Sequence, residues 1–219
     1  MNRCIFNAMD IVFIFMGGWI VSFLGQLPLG NMSFTATQIA VEEHFKNAWK
    51  YAIGVALVEM LYLRLALTSM DWVVQHRTWF LALGWLTVVL FFLLSYLSFR
   101  AAGQTSNTKK AVVLNNKLPR FVLGLTMSAL NPVQIPFWFL WTSQWIAWGW
   151  LPTERLAFNY FTIGAGLGTI TGLALYIHGG NYIVKRFQAG NQRLNQVIGV
   201  IFFITALIQL YRMIWKPWI

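Results

Sequence analysis

The sequence predicts an all-α membrane protein with six transmembrane helices, arranged as two inverted three-helix repeats. The chain has 219 residues, of which 58% are hydrophobic and only 10% are charged, whereas a soluble domain is usually about a quarter charged. Its apolar runs are continuous over about twenty residues, which is the length of a bilayer-spanning helix and not of a barrel strand. Two of these runs, one in each half, are interrupted by proline.

The predicted spans follow one another with short connections and one longer polar segment. In chain order they cover about residue 9 into the forties, 48–70, 78–99, 120–148, 156–182 and 194–214. We therefore expect a single transmembrane domain over 1–219. Repeat one covers about 9–99, the polar loop 100–119, and repeat two about 120–215. An odd number of crossings in each repeat inverts the second relative to the first.

The first span is interrupted by "GQLPLGN" and the fourth by "LNPVQIP". In both, proline stands beside amide side chains. Proline lacks an N–H and its ring clashes with the preceding turn, so nearby backbone groups lose their helical partners. Such groups cannot face lipid and must meet another helix, water or a solute. The predicted solute-binding residues are Gln26, Pro28, Gly30, Asn31, Asn131, Pro132 and Gln134. The alternative is that each proline only kinks a packed helix.

Glu59 lies near the centre of the second span, where a carboxylate is costly to place in lipid by about 2.5 kcal/mol or more. We therefore expect it to face the interior and to serve as a proton-coupling residue. Tyr62, three residues on, shares its helix face and is included in the coupling site. Arg64 is five residues beyond Glu59 and about 140° away around the helix, which makes a same-helix ion pair poor. Its side chain is long enough to reach toward the outer end of the span.

The basic residues indicate the orientation of the chain, since most of the 16 Lys and Arg lie between apolar runs. This placement fits membrane topology and not nucleic-acid binding. One side of the membrane holds ten of them: Lys46, Lys50, Arg100, Lys109, Lys110, Lys117, Arg120, Lys185, Arg186 and Arg193. The richer side is expected to be cytoplasmic. The prediction is a multi-pass protein of a bacterial cytoplasmic (inner) membrane with both termini on the outer side.

Other chemistry has little support in the sequence. The single cysteine, Cys4, excludes an internal disulfide. No Cys/His cluster, activated nucleophile or phosphate-binding loop is evident, so we expect no enzymatic activity, no metal and no cofactor. In the fifth span Gly164, Gly168 and Gly172 share one helix face at a spacing that permits close helix packing. Helix packing is the favoured interpretation of that face, and a homodimer contact is the alternative.

Several motifs together resemble those of the lysine-exporter (LysE/RhtB) family of bacterial amino-acid exporters. "PLGN" at residues 28–31 is similar to the Pro-Gly-Pro-Asn/Asp element that ends the first span of members. Gly54 followed by Glu59 matches the Gly and acidic residue of their second span. Phe121, Gly124 and "NP" at residues 131–132 resemble the aromatic, Gly and Asn-Pro-Lys of the fourth. Val133 stands where the family usually has Lys, and Leu29 and Gly30 also depart from its pattern, which indicates a divergent member.

The resemblance implies export of amino acids or small relatives, driven by the proton gradient. With the broken spans and Glu59, it predicts a secondary-active exporter whose partners are a small solute, protons and the lipid bilayer. One alternative is an ion or metal exporter of related architecture, which would require several carboxylate, His or Cys side chains within the membrane. Another is a non-transporting accessory or scaffold protein, which would need neither paired breaks nor a buried acid.

Overall fold

The computed structural model describes residues 8–27, 30–103, 118–188 and 191–215. Every regular element within these ranges is an α-helix, which confirms the predicted all-α class. In chain order the helices are α1 Ala8–Gln26, α2 Asn31–Glu42, α3 Phe45–Gln75, α4 Arg77–Gly103, α5 Arg120–Ala129, α6 Gln134–Ala147, α7 Arg155–Gln188 and α8 Asn191–Trp215.

Four of the helices in the described ranges are long and apolar enough to cross a membrane. The crossing segments are Ala8–Gln26, Phe45–Met70, Arg77–Arg100 and Arg155–Gly179, and α8 adds a shorter apolar stretch, Gly199–Trp215. Their length and composition support a multi-pass membrane protein. The predicted count of six spans stays a prediction, because it requires two further crossings, one by α5 together with α6 and one by α8.

Both predicted interruptions are true helix ends and not kinks in a continuous helix. The first separates α1, of 19 residues, from α2, of 12 residues. The helix before this break is long and apolar enough to cross a membrane by itself, and the depth of the break in the membrane stays a prediction. The second separates α5, of 10 residues, from α6, of 14 residues. Here α5 ends before Pro132 because the residue that precedes a proline is disfavoured in the helical conformation.

The broken helices pack on helices of the opposite half of the chain, with α1 against α7 and α5 against α3. Both contacts depend on glycine. A side-chain carbon on Gly18 of α1 would overlap the carbonyl oxygen of Phe161, and one on Gly124 of α5 would overlap that of Tyr51. Small residues at such positions let helix backbones approach closely in a membrane. A third pair, α4 and α8, packs beside them, and α3 contacts α7.

The glycine face of α7 serves internal packing. Gly164 and Gly168 lie against the backbone of α1 near Phe15 and Trp19, and Gly172 lies against the side chain of Gln26. The predicted close-packing role of this face is therefore confirmed within the chain. The same glycines are covered by α1, so they are not available as the contact surface of a homodimer.

Two apolar clusters lie on either side of the polar centre of α3 and α7. One contains Leu63 and Leu67 of α3, Trp138 of α6 and Phe161 of α7. The other is built around Tyr51 of α3, with residues of α2, α5 and α7. Because both clusters draw on α3 and α7, these two helices are held at the centre of the bundle.

Candidate functional site

Glu59 is the centre of a buried polar cluster formed by α1, α3 and α7. Only 4% of its surface is exposed. Its Oε2 accepts hydrogen bonds from Gln26 Nε2 at 3.0 Å and from Thr169 Oγ1 at 2.6 Å. Its Oε1 accepts a hydrogen bond from Ser22 Oγ at 3.3 Å. Ser22 and Thr169 also contact each other at 2.8 Å. The prediction that this carboxyl group faces the interior agrees with the structure.

Helix geometry explains how these four side chains meet. Ser22 and Gln26 are one turn apart, so both project from the same face of α1. The glycine contacts bring that face of α1 close to α7, where Thr169 lies. All three partners of Glu59 are neutral hydrogen-bonding groups. A carboxyl group in this setting can be held in place in either protonation state, because hydroxyl groups can act as donors or acceptors.

A second polar cluster lies at the break between α5 and α6, where it contacts α3. Ser128 Oγ donates to the backbone carbonyl of Val55 at 3.2 Å. Gln134 Nε2 donates to Ser128 Oγ at 2.9 Å. Ser128 and Gln134 are buried. Val55 precedes Glu59 by one turn, so the two clusters are separated by only about 6 Å along the axis of α3.

Tyrosine hydroxyl groups cap the backbone at both breaks. Tyr62 of α3 donates to the carbonyl of Ala129, the last residue of α5, at 2.8 Å. Tyr176 of α7 donates to the carbonyl of Leu27, just after α1. Ser33 also donates to the carbonyl of Gln26 at 3.3 Å. Several carbonyls freed by the breaks therefore have protein partners and do not depend on a solute for their hydrogen bonds.

The structure divides the predicted solute-binding residues into three groups. Gln26 joins the Glu59 cluster and Gln134 joins the Ser128 cluster. Asn131 is half-buried, and its Oδ1 accepts a hydrogen bond from the backbone N–H of Val133 at 3.2 Å. The remaining residues lie at the surface of the breaks or outside the described residues. Gly30, Asn31 and Pro132 are exposed, and Pro28 is outside the described residues.

Tyr62 does not join the carboxyl group with which it was predicted to act. Its hydroxyl is bonded to the end of α5, whereas the partners of Glu59 are Ser22, Gln26 and Thr169. A proton-coupling role for Tyr62 stays a prediction. In the structure, its direct connection is to the α5–α6 break.

Ser22, Ser128 and Thr169 are site residues that the sequence reasoning missed, although a signal for each was present. Thr169 follows Gly164 at the same spacing at which Glu59 follows Gly54. Ser22 follows Gly18, and Ser128 follows Gly124, by one helical turn in each case. The spacing places a polar group one turn or slightly more beyond each close helix contact. Among the described residues, no group of three or more His, Cys, Asp or Glu side chains is placed to hold a metal ion.

Comparison with known proteins adds one finding to this geometry. A protein-family model described as LysE type translocator matches residues 23–212 of the chain. The matched range includes Gln26, Glu59, Ser128 and Thr169, and it covers most of the chain. Searches of curated proteins and of solved structures gave no match.

Proposed function

Because the chain belongs to the LysE type translocator family and is thus a membrane transporter, we propose that it exports amino acids or small amino-acid-like solutes by proton antiport. Glu59 is the proton carrier in this proposal. The observation that carries it is the buried carboxyl group at the contact of α1, α3 and α7, held by neutral donors. An ionisable side chain inside a membrane protein generally marks a proton or substrate path.

The proposed architecture consists of two inverted repeats, α1–α4 and α5–α8, that together cross the membrane six times. Matching helix contacts support it. Gly18 of α1 lies against the carbonyl of Phe161 on α7, and Gly124 of α5 lies against the carbonyl of Tyr51 on α3. Each broken helix thus packs in the same way on the long helix of the other repeat, as expected for a pair of repeats related by a two-fold axis.

The polar residues follow the same correspondence. Gly54 lies against the backbone of α5, and Gly164 lies against the backbone of α1. Glu59 and Thr169 are 110 residues apart in the chain, and Gly54 and Gly164 have the same separation. Glu59 and Thr169 are therefore equivalent positions of the two repeats that meet at their shared interface.

Alternating access then follows from the way in which the helices are paired. The tight glycine contacts join α1 to α7 and α5 to α3, so these pairs are expected to move as rigid bodies. The hydrogen bonds from Ser22, Gln26 and Thr169 to Glu59 cross between the two bodies. A change in the protonation of Glu59 changes those bonds, and this links proton binding to the relative position of the bodies.

The solute is proposed to bind at the two breaks, near Gln26, Asn31, Asn131 and Gln134, with backbone groups at Gly30, Pro28 and Pro132. Gln26 connects the first break directly to Glu59. Gln134 lies on the helix that starts after the second break and bonds to Ser128. A solute that displaces the amide of Gln26 would alter the hydrogen bonds of Glu59. A solute that displaces the amide of Gln134 would alter the hydrogen bonds of Ser128, which contacts α3.

The cellular setting is proposed from the charge distribution and the family. The transporter lies in a bacterial inner membrane, with its basic loops in the cytoplasm and both termini outside. A homodimer stays a prediction, and it would need a surface other than the glycine face of α7, which α1 covers.

Purified protein in proteoliposomes tests the function. A panel of amino acids is loaded inside, a pH gradient is imposed, and efflux is measured for the wild type and for Glu59→Gln. The wild type should accelerate efflux of at least one amino acid when the gradient is applied. Glu59→Gln should lose this response while retaining solute exchange in the absence of a gradient. A wild-type response in Glu59→Gln would rule out the proton role, and metal-stimulated flux would favour the ion-exporter alternative.

A further inference from the structure

Three buried donor nitrogens in the described part of the chain have no hydrogen-bond partner, and all three are associated with one apolar cluster. They are Arg64 Nη1, Trp138 Nε1 and Trp145 Nε1. Trp138 and Trp145 are members of the cluster that contains Leu63 and Leu67. Arg64 lies between these leucines in sequence, and its guanidinium lies over the ring of Phe158, another member, at 5.8 Å.

Unpaired donors of this kind carry a large free-energy penalty within a membrane. A buried polar group without a hydrogen bond destabilises a protein, and a guanidinium within a span does so more strongly. Arg64 lies inside the crossing segment Phe45–Met70. Its contact with Phe158 is a cation–π interaction, which does not replace a hydrogen-bond acceptor for Nη1. None of these three nitrogens therefore has an acceptor in the described part of the chain.

The position of these donors relates them to the proposed transport site. Arg64 lies about 7.5 Å along α3 from Glu59 and about 140° around its axis, and its long side chain extends to Phe158 on α7. Trp138 follows Gln134 by one turn on α6, so the two side chains share a helix face. With the basic loops in the cytoplasm, α3 and α6 both run outward, so Arg64 and Trp138 lie on the outer side of the two polar clusters.

We propose that Arg64 and the Trp138 N–H form a subsite for the carboxylate of the exported solute, on the outer side of Glu59. A guanidinium presents a planar fork of donors that matches the two oxygens of a carboxylate. The indole N–H supplies one further donor from α6. The inference rests on the proposed function and deepens it, because it makes a free carboxylate a requirement for recognition.

The chemistry of the subsite makes Arg64 a specificity-determining residue. A site built around unpaired donors rejects a solute that lacks the matching acceptor, because the donors then remain unsatisfied. A carboxamide has the shape of the free acid but no negative charge and only one acceptor oxygen. The transporter is therefore expected to prefer each free acid over its carboxamide.

The test compares binding of L-amino acids and of their carboxamides to purified protein, with apparent affinity taken from the concentration dependence of the melting temperature. At least one free acid should stabilise the wild type and its carboxamide should not. Arg64→Gln should weaken binding of that acid roughly 10- to 100-fold, as expected for loss of a charged hydrogen bond. Trp138→Phe, which keeps a ring but removes the N–H, should weaken it roughly 2- to 10-fold.

A matched control is Arg212→Gln. Arg212 is also partly buried, but it is on α8 and donates to Gln144, so its removal should leave acid binding unchanged. The proposal is overturned if acid and carboxamide bind equally, if Arg64→Gln binds the acid like the wild type, or if no free acid stabilises the protein. Arg64→Lys serves as a second variant that keeps the charge but loses the fork, and it should bind the acid more weakly than the wild type.

Flux measurements separate this proposal from the proposed function. If a free acid binds through Arg64 but is not moved by a pH gradient in proteoliposomes, the antiport proposal fails and the carboxylate subsite stands. The wild type and Arg64→Gln can also each export an amino acid and its carboxamide at the same rate when a pH gradient is applied. In that case the antiport proposal stands and the carboxylate subsite is wrong.

Discussion

The hydroxyl of Thr169 connects the two halves of the chain at a single carboxyl group. Its Oγ1 lies 2.6 Å from Glu59 Oε2, and it also contacts Ser22 and the carbonyl of Ala165. Thr169 is fully buried, so no solvent can replace it. A hydrogen bond to a charged group contributes roughly 1.5–3 kcal/mol, about twice the value for a neutral pair. The residue is therefore expected to matter both for stability and for coupling.

Thr169→Val removes this hydroxyl while keeping a side chain of similar size. We expect the free energy of unfolding to fall by about 1–3 kcal/mol, because Glu59 loses a buried donor. The response of efflux to a pH gradient should fall as well, since the link between α3 and α7 is lost. Melting in detergent and flux in proteoliposomes measure the two effects. Thr169→Ser, which keeps the hydroxyl, should behave like the wild type in both measurements. Equal melting temperatures and equal efflux responses in Thr169→Val and Thr169→Ser would contradict the assigned role.

At the level of single residues, the sequence singled out the buried carboxyl group and Gln26, but not the hydroxyl groups beside them. Glu59 could be found because a carboxylate in a long apolar run is rare and needs an interior position. The glycine spacing before Ser22 and Thr169 does not by itself separate them from other hydroxyl residues of membrane helices, which commonly bond to their own backbone. Their contact with Glu59 depends on how α1 and α7 pack, and that information is not local to either residue.

Helix contacts in this protein depend on backbone approach at a few glycines. Gly18→Ala would place a methyl group against the carbonyl of Phe161, which cannot move without displacing α7. We expect a loss of about 1–3 kcal/mol or more in the free energy of unfolding, with α1 forced away from α7. The melting temperature in detergent measures the effect.

Gly84→Ala is the matched control for this substitution. A methyl group on Gly84 of α4 would meet only the flexible side chain of Met213, which can rotate aside. It should therefore have little effect on melting. If Gly18→Ala melts like Gly84→Ala, the close packing of α1 on α7 is not what holds the bundle together.

An ion pair joins the corner between α2 and α3 to the start of α5. The carboxylate of Glu43 pairs with the guanidinium of Arg120, the first residue of α5. It also accepts a hydrogen bond from Asn47 Nδ2 at 2.8 Å. The hydrogen bond from Arg120 is the main cause that holds the pKa of Glu43 below its ordinary value of 4.5, against the opposing effect of burial. A carboxyl group whose pKa is lower in the folded state stabilises the fold above its unfolded pKa.

The contribution of this pair should disappear as the pH falls through the lowered pKa of Glu43, and so only below pH 4.5. Glu43→Gln removes the charge, so its melting temperature should fall less than that of the wild type between about pH 5.5 and about pH 3.5. Glu42→Gln changes a neighbouring exposed carboxyl group, and its melting temperature should fall over this pH range as much as that of the wild type. If the melting temperature of Glu43→Gln also falls as much as that of the wild type, the pair does not stabilise the fold.

The two breaks show how far a local signal predicts an element. "NP" at residues 131–132 correctly predicts where α5 ends, because the effect of a proline on the preceding residue is local. The first break follows a helix of 19 residues, α1, and precedes one of 12 residues, α2. Where a break lies relative to the membrane depends on the length of the preceding helix and its partners. The capping of both breaks by Tyr62 and Tyr176 is likewise a tertiary effect.

At the scale of the whole molecule, the proposed mechanism requires that α1 with α7 and α3 with α5 change their relative position. The described contacts between these pairs include the bonds to Glu59. In this mechanism proton binding and body movement take place at the same interface. Loss of the proton site is therefore expected to uncouple the cycle without removing the path for the solute.

The most direct measurement of this claim is proton movement itself. Proteoliposomes containing a pH-sensitive dye are given an outward gradient of a transported amino acid, with no initial pH difference. The wild type should move protons inward as the solute leaves, and Glu59→Gln should move no protons while still exchanging labelled solute for unlabelled solute. Proton uptake by Glu59→Gln at the wild-type rate would contradict the account.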